Sequence, residues 1–285
     1  IKRTTIYLDS PIRRNPHSQT TRMNAINTNT TILLLIFSYL TTNSAFADKE
    51  KLVVNDGDKI AFMGDSITQA GNRKGGYIQL VMEALNKEGL KLTHVPAGIS
   101  GNKSTNMLAL LDKDEISKKP QWITLSCGVN DVWHFTLKLG KRTFQGVELD
   151  DYKKNIREII EKAQAADIKV MILTSTMIGE DPEKETNKKL IPYNDFLREI
   201  AKEKNLLLAD LSKDMHEQLK KMPNEKGKAR MFGERDYQRN IKNKLTSDGC
   251  HMNKLGNIMM AKGVLRTFGL SENKIAAAEK SWLGK

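Results

Sequence analysis

Four short apolar runs punctuate the chain without alternation: Ile60-Ala61-Phe62-Met63, Trp122-Ile123-Thr124-Leu125, Val170-Met171-Ile172-Leu173 and Leu206-Leu207-Leu208-Ala209. Strands covered on both faces read this way, so the runs predict the interior of a parallel sheet. Leu92-Thr93-His94-Val95 predicts a fifth, weaker strand. Between the runs the period becomes helical. Ile78, Val81 and Leu85 share one face, as do Ile156, Ile159, Ile160 and Ala163. Phe196, Leu197, Ile200 and Ala201 make a third stripe, and Leu255, Ile258, Met259, Val264 and Leu265 a fourth. Spacings of three and four lay such a stripe against a sheet. The alternation predicts a three-layer α/β/α fold with a mostly parallel five-stranded sheet and right-handed crossovers. Ligands of such sheets bind beyond the carboxyl ends of the strands, and chemistry is expected there.

The first part of the chain departs from this pattern. Thr31 to Leu40 is an apolar run about half the roughly 20 residues needed to span a bilayer. Ala45-Phe46-Ala47 follows as a small-x-small cleavage pattern. Residues 1–47 therefore read as a leader and signal peptide, with 1–22 upstream of Met23 set aside, and 48–285 as a single domain. A periplasmic or secreted location is expected, with no stable membrane anchor after cleavage. The rival reading is a disordered apolar tail.

Composition changes the picture only slightly. The formal net charge is +12, but Lys2, Arg3, Arg13, Arg14 and Arg22 fall in the excluded segment. Much of the remaining excess sits in residues 213–244, and the nucleic-acid motif classes are absent, so no nucleic-acid partner is expected. Pro223 to Thr246 breaks the helix–strand rhythm with Lys226, Lys228, Arg230, Arg235, Arg239, Lys242 and Lys244 against Glu225, Glu234 and Asp236. It reads as a solvated surface excursion; the alternative is a flap that draws an anionic substrate to the site. Two cysteines, Cys127 and Cys250, provide no disulfide framework. Two buried thiols are the simpler expectation, and a bridge the alternative.

Three strand ends and one late loop carry reactive groups. The first strand runs into Gly64-Asp65-Ser66-Ile67-Thr68, which places a serine at a strand's carboxyl end. The spacing is neither that of a phosphate loop nor that of the G-x-S-x-G elbow. The second ends in Gly98-Ile99-Ser100-Gly101-Asn102, where glycines let backbone N–H groups turn towards a ligand. The third ends in Gly128-Val129-Asn130-Asp131, where an Asn amide can meet developing negative charge. Each alone is equally an ordinary turn. Before the last helix, Asp248-Gly249-Cys250-His251 lets a carboxylate fold back onto the imidazole Nδ1–H and leave Nε2 free as a base.

Taken in order, FMGDSIT, GISGN, GVND and DGCH resemble the four blocks of the GDSL/SGNH hydrolase superfamily, over Lys59 to about Phe268. GDSITQAG, GISGNKS and GVNDVWH are similar to its lysophospholipase-like and acetylesterase-like group. The resemblance implies a flavodoxin-like fold and hydrolysis of carboxylic esters without metal or cofactor. It casts Ser66 as nucleophile, His251 as base and Asp248 as the residue that orients it. The oxyanion hole would comprise the N–H groups of Ser66 and Gly101 and the side-chain amide of Asn130. Asp65 and Asp131 match structural positions. Trp133 and His134 would line the substrate pocket, His134 being the only rival base.

A short-acyl esterase acting on carbohydrate, with a small-molecule or glycan ester as partner, is the leading expectation. The runner-up is a lysophospholipase or thioesterase for longer chains. A reading of another class is a non-catalytic glycan-binding module. The oligomeric state is not legible.

Overall fold

The computed structural model describes residues 52–234 and 239–284. The leader and signal-peptide expectation falls on residues 1–47, outside the described residues. No helix among those described is long and apolar enough to cross a membrane.

Five strands form the central sheet: β1 (Lys59–Gly64), β2 (Thr93–Gly98), β3 (Trp122–Ser126), β4 (Lys169–Leu173) and β5 (Leu207–Ala209). Their order is β2-β1-β3-β4-β5, and every pairing is parallel. The order reverses between β1 and β3, because the chain first steps outward to β2 and then returns across β1. Beyond the carboxyl ends at this switch point the neighbouring connections diverge and leave a crevice. Ser66 follows β1 and Asn130 follows β3, one on each side of it.

Three of the four continuous apolar runs are the inner strands β1, β3 and β4; the fourth, residues 206–209, forms β5 at one edge of the sheet, where Leu206, Leu207 and Leu208 are only half-buried. Ile60, Ala61, Phe62, Ile123, Leu125, Met171 and Ile172 are fully buried or nearly so. Burial of each large side chain among them contributes about 1.5–3 kcal/mol. The weak fifth run proves to be the edge strand β2. It starts one residue later than the sequence suggests and continues to Gly98, with Thr93 exposed and His94 and Val95 half-buried. Pro96, which lacks a ladder N–H, is tolerated at such an edge.

Nine helices are assigned among the described residues: α1 (Ser66–Gly71), α2 (Tyr77–Lys87), α3 (Ser104–Asp114), α4 (Val129–Trp133), α5 (Leu149–Ala165), α6 (Glu185–Glu203), α7 (Leu211–Lys221), α8 (Lys254–Thr267) and α9 (Glu272–Leu283). α8 packs against α2, α7 and α9, whereas α5 packs against α3 and α6. The stripe read on α8 needs correction. Ile258, Val264 and Leu265 are buried, but Leu255 is exposed and Met259 only half-buried, and Met260 and Ala261 take their places in the core.

Candidate active site

The serine block is held by its own local chemistry. Asp65 caps α1, its Oδ1 accepting the Ile67 N–H at 2.8 Å. A Cβ at Gly64 would collide with the Thr68 side chain, so the residue before Asp65 must be glycine for α1 to start so close to β1. The buried Thr68 hydroxyl meets the Tyr77 hydroxyl at 3.1 Å, and the Tyr77 N–H donates to Asn257 Oδ1 at 2.9 Å. Asn257 in turn donates to the carbonyls of Met252 and Asn253. The serine turn and the late loop are thus tied through α2.

Ser66, 185 residues from His251, meets it across the crevice. His251 Nε2 lies 2.9 Å from Ser66 Oγ, and its Nδ1 lies 2.8 Å from Asp248 Oδ2. A carboxylate only accepts, so Nδ1 carries the proton and Nε2 is left to accept from the serine hydroxyl. Asp248 Oδ1 also accepts the N–H groups of Cys250 and His251, at 3.1 and 2.8 Å. Both carboxylate oxygens are therefore used to hold one imidazole orientation. Hydrogen bonding to Asp248 raises the His251 pKa above 6.5, and burial opposes it. Burial pushes the Asp248 pKa up, but the hydrogen bonds from His251 and the loop N–H groups win, and the net direction is down.

The other two blocks converge on the same crevice. Asn130 is buried, and its Nδ2 donates to the Asn102 carbonyl at 3.0 Å, joining the β3 turn to the β2 turn. An amide nitrogen has two hydrogens, so one remains for a ligand. Gly101 has φ of +82°, a left-handed conformation suited to glycine. Neither the Ser66 nor the Gly101 backbone N–H donates to another group of the described residues. Asp131 Oδ1 accepts the Ser104 N–H at 2.9 Å, so it braces the N-terminus of α3. Burial raises the Asp65 pKa to about 6 and also raises that of Asp131.

Trp133 and His134, expected to line the pocket, are only 3% and 8% exposed. Neither offers a ligand much surface, because Trp133 at the end of α4 and His134 just after it both turn into packing. His134 lies against Phe144, with ring centroids 5.1 Å apart, and burial lowers its pKa to about 4. The imidazole in contact with Ser66 is that of His251. Cys127 and Cys250 are free and buried. Burial raises both thiols, and the Cys127 thiol donates to Asp131 Oδ2 at 3.5 Å.

Two residues at the site carry no signal in the sequence reading. Glu180, 5% exposed, receives the N–H groups of Lys244, Leu245 and Thr246 at 2.6, 2.8 and 2.7 Å, and the Thr246 hydroxyl at 2.7 Å. It is the anchor from which the Asp248–His251 loop projects. Phe232 comes from the basic segment read as a solvated excursion. Its ring stands edge-to-face with His251, so that segment borders the site.

Comparison with known proteins agrees with this architecture. A curated acetylxylan esterase of Geobacillus stearothermophilus is 28% identical over 182 residues, 59% of this chain and 82% of the relative. The crystal structure of the acetyl xylan esterase AlAXEase matches with a TM-score of 0.62 and 34% identity, covering 73% of this chain and 98% of that one. The structure of Axe2, an acetylxylan esterase from Geobacillus stearothermophilus, matches at 0.63 and 25% identity, covering 76% and 97%. The family model for GDSL-like lipases and acylhydrolases spans residues 62–257, from β1 into α8, and so takes in all four blocks. On that span, more than half of its length, the chain belongs to the GDSL-like lipase/acylhydrolase family.

Proposed function

We propose that the chain is a serine esterase that removes short acyl groups, acetyl foremost, from carbohydrate by way of an acyl-enzyme on Ser66. The observation that carries this reading is the relay from Ser66 Oγ to His251 Nε2 at 2.9 Å and from His251 Nδ1 to Asp248 at 2.8 Å. The carbohydrate part is supported by similarity to enzymes described as acetylxylan esterases.

Ser66 Oγ attacks the ester carbonyl as His251 Nε2 takes its proton. The carbonyl oxygen becomes an oxyanion, which the N–H groups of Ser66 and Gly101 and the second hydrogen of the Asn130 amide stabilise. The C–O bond to the sugar then breaks, and the imidazolium returns its proton to the departing alkoxide. Water repeats the sequence on the acyl-enzyme: its proton goes to His251, the acid leaves and Ser66 is restored. Asp248 stays ionised throughout and stabilises the imidazolium.

An acidic glycan fits the charge distribution. A cavity of about 470 Å³ is lined by His216, Lys220, Lys221, Arg239 and Lys244, with Glu180 in its wall. Four Lys and Arg side chains stand against the single carboxylate of Glu180, so the cavity is positive on balance.

The test is an acyl-release screen over neutral acetylated xylan, acetylated xylan bearing uronic acid groups, and p-nitrophenyl acetate and decanoate, with Ser66→Ala as the blank. Acetate release from xylan, faster on the acidic polymer at low salt, is expected. Asn130→Ala should retain residual turnover, lowered roughly 10²–10³-fold. A strong preference for decanoate, with no acetate from xylan, would instead favour a lipid or thioester substrate.

A further inference from the structure

Phe232 leaves a large apolar ring in water beside the catalytic imidazole: it is 41% exposed. A single exposed apolar side chain is ordinary on a protein surface; this one is set apart by its contact with the catalytic His251. The ring is braced on two sides. It stands edge-to-face with His251 at 5.9 Å between centroids and with Trp133 at 5.8 Å. Its backbone is held as firmly, because the Phe232 N–H donates to the Asp248 carbonyl at 2.8 Å. Met231 and Ala229 on one side are buried. On the other side Gly233 takes φ of +78°, and an added Cβ would come within 2.6 Å of the Leu137 side chain. Phe232 is therefore held in place beside the relay.

We propose that Phe232 is the platform on which a pyranose ring of the substrate stacks, so that an ester on that ring is presented to Ser66. This rests on the carbohydrate-ester reading above. An acetyl group has too little surface to bind tightly, and most ground-state affinity must come from the sugar that bears it. A pyranose offers faces of C–H groups, slightly positive, which complement the negative face of an aromatic ring. A braced ring has little side-chain freedom left to lose when the sugar settles on it. Trp133, buried beneath, serves the platform by packing. Because stacking acts equally on bound substrate and transition state, it belongs in KM.

The experiment compares Phe232→Ala, Phe232→Leu and Phe232→Tyr with the wild type on acetylated xylo-oligosaccharides and on ethyl acetate, which has neither sugar nor aromatic ring. Fluorophosphonate labelling of Ser66 checks the fold of each variant. For Phe232→Ala the ratio of kcat/KM on the oligosaccharide to that on ethyl acetate should fall about tenfold, mostly through KM. Phe232→Leu should fall in between, and Phe232→Tyr should keep the ratio. An unchanged ratio in Phe232→Ala, with both activities lowered together, would mean that the ring only steadies His251 and would overturn the proposal. A wild type that hydrolyses ethyl acetate but releases nothing from the oligosaccharide would overturn the carbohydrate reading first.

Discussion

At the scale of single residues, His251 is pulled two ways: its hydrogen bond to Asp248 favours the imidazolium, and burial disfavours it. The hydrogen bond wins, which has a kinetic consequence. A general base works only unprotonated, so kcat/KM falls as pH drops through the pKa of the free enzyme. The acid limb of the profile is expected above pH 6.5, the ordinary histidine value. Asp248→Asn replaces the carboxylate that makes this hydrogen bond and removes its charge, so the limb should move to lower pH while kcat drops about 10⁴-fold. Were His134 the base, the limb would lie near pH 4, where burial places that group. A pH–rate profile of both proteins decides between them. Ser66, Asp248 and His251 were legible because four blocks in order resemble those of a known family; each block alone reads equally as an ordinary turn. Phe232 was not, since an aromatic in a basic stretch predicts no partner until folding brings Trp133 and His251 to it.

Elements supply the positioning. The Asp248–His251 loop has no strand to carry it; it hangs from the buried carboxylate of Glu180, whose backbone partners lie 64 to 66 residues away. In Glu180→Gln one acceptor becomes an NH₂ group that faces a backbone N–H. The variant should lose about 1–3 kcal/mol in urea or thermal unfolding and turn over more slowly, with Ser66 still present. Full stability in that variant would remove Glu180 from the account. Backbone donors carry no residue signature, so no reading of side-chain types could have paired them with Glu180. The helices differ in legibility for a related reason. α2 and α5 bury wide stripes and were plain, whereas α3 buries only Ser104, Met107 and Leu111 and left too narrow a stripe to read. Leu255 misled because the first turn of α8 presents Gly256 and Asn257 to the fold and leaves Leu255 exposed, a tertiary choice that periodicity does not encode.

For the whole molecule, the strand order decides where chemistry is possible. Alternating apolar runs and helical stripes implied the three layers, but not which strands are neighbours; the order β2-β1-β3-β4-β5 is seen only in the folded chain. The reversal between β1 and β3 brings the serine and asparagine turns to one crevice, and the last loop closes over it with His251. The account stands on that gathering producing an activated serine. Mass spectrometry of the folded protein after fluorophosphonate treatment tests it most directly. One adduct per chain, mapped to Ser66 and lost in His251→Ala and on denaturation, is the expected result. An unmodified Ser66 in the folded wild type, or an adduct that survives loss of the imidazole, would contradict it.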